Sequence, residues 1–160
     1  MADLIQKTRE LNIIHKGSYT ISYDIDPKLF VDDITENFRS AELAKFQAGV
    51  MVTIGEDGYV KLADGAKDAS AKAVVVPPAG FYMDNLPGIA SQKLPALGLS
   101  VIETVQVVEG DIKPGTPLYV GTADKAGLLT KEKGTSTLFA GIALSANSAE
   151  DKTLVVELKI

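Results

Sequence analysis

A chain of 160 residues with a formal net charge of -5 and no cysteine is long enough to bury one substantial core, about 70% of its unfolded surface, without staples. It excludes disulfides and thiolate metal sites. The acidic balance, with no basic run longer than "KEK", also excludes a nonspecific grip on nucleic acid, which needs clustered Lys and Arg to displace counterions. The longest apolar runs, such as "AVVV" at 73–76, fall far short of the ~20 residues that cross a bilayer. The polar start "MADLIQKTREL" lacks the apolar centre of a signal peptide, so a protein made and kept in the cytosol, with no membrane partner, is expected.

In chain order, residues 1–18 read as an N-terminal arm or short helix: Leu4, Ile5, Leu11, Ile13 and Ile14 match helical spacing only in part. The stretch "SYTISYDID" alternates apolar and polar side chains with period two, the pattern of a half-buried strand, and Pro27 ends it. Residues 28–48 shift to Leu, Phe, Ala, Glu and Lys. There Ser40 before "AELAKFQAG" offers an N-cap and Gly49 a stop, so a helical segment is expected.

Beyond Gly49 the expectation is strand throughout, at 50–54, 59–62, 73–76, 99–108, 117–120, 128–130, 138–144 and 153–160, short runs rich in Val, Ile, Leu and Thr between Gly, Asp, Asn and Pro clusters. That is the signature of a small barrel or sandwich. The fold class is therefore mainly β with minor α: one domain over 19–160, carrying a helical insertion and a long Pro/Gly-rich loop at 77–98. This loop holds four of the seven prolines and the apolar residues Phe81, Tyr82, Met83, Leu86 and Ile89. A loop so long and so apolar serves binding more often than mere connection, and these five residues are the candidates for self-association.

A phrase recurs. Aligning Gly49 with Gly115 gives Gly, an apolar strand, an acidic Gly-containing turn ("GEDG", then the longer "GTADKAG") and a second strand. Asp and Gly near each bend favour a tight reversal, so each copy reads as a hairpin. The "GD" step at 110–111 and the "ADKAG" turn also resemble parts of lipoyl and biotinyl carrier domains, but Lys125 follows the Gly-Asp step too closely for a carrier lysine and reads as a solvated turn residue.

Chemistry is sparse. His15 is the only histidine, which removes His-based metal clusters, and no G-x-S-x-G, phosphate loop or H-E-x-x-H occurs. Asp24 with Asp26, and Asp32 with Asp33, supply carboxylates without a spacing that selects a catalytic pair, and "GEDG" holds too few for a calcium loop. Tryptophan is absent, which disfavours sugar stacking and single-strand nucleic-acid grooves. No catalytic residue, metal ligand or cofactor is expected.

The segment "GDIKPGTPLYVGTADKAGLLTKEKGTSTLFAGIALSANSAEDKTLVVELKI", residues 110–160, resembles the closing part of the small β-barrel decoration (cement) proteins of tailed-bacteriophage heads. The shared grammar is a Gly-bounded strand, a turn into "AGLLT", a polar linker, "AGIAL", and a final alternating strand. Gly141 and Ala143 would be the small residues of a tightly packed strand. The resemblance covers about a third of the chain and implies a non-enzymatic protein on the outer surface of the virion. Such a protein is commonly a homotrimer that binds the major capsid protein and clamps adjoining capsomers. It implies, too, an N-terminal arm that orders on the shell, making Leu4, Ile5, Leu11 and Ile14 the candidate capsid-binding residues. The alternatives are a phage fibre or baseplate protein and, further off, a carrier domain or a carboxylate-based hydrolase.

Overall fold

The structure, a computed structural model, describes residues 11–15, 20–29, 45–75 and 93–160. Eleven strands cover them: β1 (Leu11–His15), β2 (Thr20–Asp24), β3 (Met51–Ile54), β4 (Val60–Leu62), β5 (Lys72–Val74), β6 (Lys93–Leu97), β7 (Val101–Thr104), β8 (Pro117–Val120), β9 (Leu129–Thr130), β10 (Phe139–Ala143) and β11 (Leu154–Leu158). They form two antiparallel sheets, β1-β7-β11-β10-β8-β9 and β2-β6-β5-β3-β4. The architecture is a β-sandwich-like pair of open sheets rather than a closed barrel. Isolated parallel bridges, Asp24 of β2 to Tyr59 beside β4 and Val107, beyond β7, to Leu129 of β9, add no closing ladder.

The recurring phrase forms one hairpin in each sheet, β3-β4 and β8-β9. Its aligned glycines share a backbone: φ is 87° at Gly49 and 86° at Gly115, and 85° at both Gly58 and Gly127. Backbone hydrogen bonds from Met51 N to Gly127 O (2.7 Å), Gly127 N to Ala63 O (2.8 Å) and Gly65 N to Gly121 O (3.0 Å) tie the two hairpins together.

The core has two parts. Leu118, Val120, Leu154, Val156, Leu158 and Ile102 of the larger sheet meet Met51, Ala73 and Leu97 of the smaller in the main cluster. The smaller sheet is apolar on its other side as well, where Tyr23, Val52, Val60, Val74, Leu94 and Ala96 pack with Ile25 and Phe46. Strand alternation produces this directly, because Met51 and Val52, or Ala73 and Val74, point to opposite faces.

Three expectations are corrected. Among the described residues there is no α-helix: Pro27–Leu29 is a 3-10 turn, residues 45–49 are turn rather than the end of a helix, and 30–44 lie outside the described residues. At 45–49 sheet pairing overrides helix propensity, for Gly49 N donates to Val74 O (2.8 Å) and Phe46 enters the second cluster. Residues 11–15 are a strand paired with β7, not arm or helix. The end of the expected loop, Lys93–Leu97, is an interior strand between β2 and β5 despite Pro95. The proline is tolerated because its missing N–H falls where β5 ends; its carbonyl still accepts Val75 N at 2.9 Å.

Candidate interaction face

The register of the six-stranded sheet fixes which side chains share its outer face. Asn12 lies opposite Glu103, Glu103 opposite Val155, and Val101 opposite Glu157. Glu157 lies opposite Ile142, and Ile142 opposite Pro117. Inward positions on these strands are buried, as in the alternating pattern of β11. Outward positions are apolar in the main: Ile14 (53% exposed), Val101, Val155, Ile142, Phe139 (39% exposed), Tyr119 and Pro117, with Leu144 (46% exposed) just beyond β10. The rings of Tyr119 and Phe139 meet edge to face, centroids 5.9 Å apart.

A sheet with one side in water ordinarily carries polar residues there; among the described residues this outer face is mostly apolar, with Val101, Val155, Ile142 and Tyr119 half-buried. Two carboxylates interrupt it. Glu157 pairs with Lys159 on its own strand. Glu103, half-buried between Asn12 and Val155, has no ion-pair partner among the described residues.

Of the capsid-binding candidates, Leu11 is partly buried against the main core, whereas Ile14 stands exposed at the rim of the face. Leu4 and Ile5, and all five self-association candidates Phe81, Tyr82, Met83, Leu86 and Ile89, lie outside the described residues. Most of the face escaped the reading of the sequence. Its signal was the apolar outward member of each alternating pair, Val101 in "VIET", Val155 in "LVVEL" and Tyr119 in "PLYV".

The remaining polar groups have structural work. Asp24 pairs with Lys93, while Asp26 accepts the Lys28 amide at 2.9 Å. Asp57 of "GEDG" accepts Tyr59 N at 3.0 Å, closing the turn. Lys125 sits in an exposed 3-10 turn. At the surface, a hydrogen bond and the charge of Lys131 hold Asp111 below the usual carboxylate range, and Asp111 in turn raises Lys131.

A cleft of about 470 Å³ opens beside the hairpins, lined by Gln47, Val50, Leu62, Gln106, Asp124 and Leu128 among others. Gln106 Nε2 donates across it to Gln47 Oε1 at 3.2 Å. Among its described lining residues Asp124 is the one carboxylate, whereas the usual glycosidase scheme uses a pair. Among the described residues no group of three His, Cys, Asp or Glu side chains is placed to hold a metal ion, and no helix is long and apolar enough to cross a membrane. No family model, curated protein or solved structure matches the chain.

Proposed function

We propose that this chain is a non-enzymatic structural protein that binds the outside of a tailed-phage head and stabilises it by clamping adjoining subunits of the major capsid protein. The observation that carries the reading is the apolar outer face of the six-stranded sheet, a surface suited to holding another protein and unsuited to water. What directs it to a capsid is the resemblance of residues 110–160 to head decoration proteins. In this reading the chain assembles as a homotrimer, the face with Ile14 at its rim docks on the shell, and no cofactor takes part.

Sedimentation velocity on the purified protein, alone and mixed with undecorated tailed-phage heads, tests the reading. A trimer that co-sediments with heads to a saturable stoichiometry is expected. A species that leaves every head preparation bare would overturn it.

A further inference from the structure

Taking the outer face as the docking surface, as above, we infer that its partner is an apolar protein surface bearing a Lys or Arg side chain aimed at Glu103, and not a second copy of this chain. The charge of the face carries this. Glu103 lies opposite Val155, two residues from Glu157 on the same strand, so the two residues are diagonal neighbours whose Cα atoms lie about 7–8 Å apart. Glu157 has Lys159; Glu103 has no ion-pair partner among the described residues.

Packing two copies face to face about a two-fold axis that passes between Glu103 and Glu157 would bring this carboxylate pair against itself in a drying interface. Like charges there oppose association. An incoming guanidinium or ammonium group would instead find a carboxylate without an ion-pair partner among the described residues, flanked by Asn12, Val101 and Val155, where a charge-assisted bond is strengthened by loss of water.

Area points the same way. Five neighbouring strands of about five residues give a face on the order of 400 Å², half of the roughly 800 Å² per partner of a stable pairwise complex. A surface of that size suits one of several simultaneous contacts.

The test titrates the isotope-labelled full chain with an alternating Val–Arg peptide and with its Val–Glu counterpart, followed by amide chemical shifts. The Val–Arg peptide should shift Val101, Glu103, Val155 and Ile142 saturably while the Val–Glu peptide leaves them in place. Glu103→Gln should weaken that binding about tenfold, the loss of one charge-assisted bond, and exposed Glu150→Gln should leave it unchanged. Equal binding of both peptides, shifts away from the face, or equal weakening by Glu150→Gln would overturn the inference. So would a wild-type dimer that Val155→Lys dissociates. No shell enters this assay, so the two readings fail separately: peptide binding without head binding removes the capsid reading alone. Heads bound equally by wild type and Glu103→Gln remove this inference alone.

Discussion

Gly141→Ala should be among the most damaging single-methyl changes available to this protein. Gly141 sits in β10 just after an irregularity in register with β8, and a Cβ built on it would lie 2.1 Å from the backbone oxygen of Glu157 and 3.1 Å from Leu158 Cα. The obstacle is the backbone of the neighbouring strand, so relief requires β10 and β11 to part by roughly 1 Å. Overpacking of this kind costs about 1–3 kcal/mol, and straining the ladder at Gly141↔Leu158 and Ile142↔Glu157 adds about 1 kcal/mol. The stiffer unfolded chain returns about 0.4–1 kcal/mol. A net loss of about 2 kcal/mol follows, or about 4–8 °C in Tm for a chain of this length, read by urea and thermal unfolding. Gly58→Ala is the matched comparison: φ is +85° there and nothing lies within 4 Å of the added methyl, so only the conformational penalty of about 1 kcal/mol applies. If Gly58→Ala proves the costlier of the two, close strand approach is not what Gly141 provides.

Asn147→Ala should destabilise by about 2 kcal/mol in urea unfolding, because its amide accepts Ile112 N (2.8 Å) and donates to Glu109 O (3.1 Å) and Lys152 O (3.2 Å); Asn147→Asp, which keeps the acceptor alone, should fall between. Ala123→Gly should raise stability by about 1 kcal/mol, since exposed Ala123 holds φ at 54°, and an unchanged or lowered Tm would show that the turn is not strained. Asp111 is held below its ordinary 3.8 by hydrogen bonding to Lys131 and by that residue's charge, so its contribution is present above that pH and is lost as pH falls through the lower folded-state value. Lys131, raised above 10.5 mainly by the same hydrogen bond, contributes below that pH and loses its contribution as pH rises through the higher folded-state value. Unfolding measured across pH should therefore show Asp111→Asn flattening the acid limb, and superimposable acid limbs would refute the pairing.

The hairpins were legible because their information is local: Gly and Asp at the bends and an apolar strand to each side specify β3-β4 and β8-β9 without knowledge of the rest. β8 and β10 likewise announce themselves by composition, and the closeness of Gly141 to β11 is the tight packing its size suggested. β1 was hidden by its own irregularity. The register with β7 slips between Ile13 and His15, which breaks period two and leaves "LNIIH" looking like half a helix. β6 was hidden by Pro95, whose missing donor matters only if the strand on that side continues, and β5 does not. The outer face was hidden for a different reason. Each of its apolar side chains is an ordinary strand residue in its own segment, and only the order β1-β7-β11-β10-β8, set by pairings between distant parts of the chain, gathers them on one surface.

That gathering poses a problem which the two carboxylates answer. An unbroken apolar face of this extent would invite stacking with its own kind. Glu103 and Glu157, on neighbouring strands near its middle, set like charge against like charge in a two-fold stack centred on them, yet leave the surrounding Val contacts available to a surface of opposite charge. On the inference above, the same residues oppose self-stacking and favour a partner of opposite charge. In the proposed trimer, association between copies must then use a different surface, and three such faces remain free to engage together. Contacts too small to hold singly would add through their high effective concentration, which is how, in the proposed function, a face of modest area would clamp a shell without becoming an aggregation site in the unbound protein.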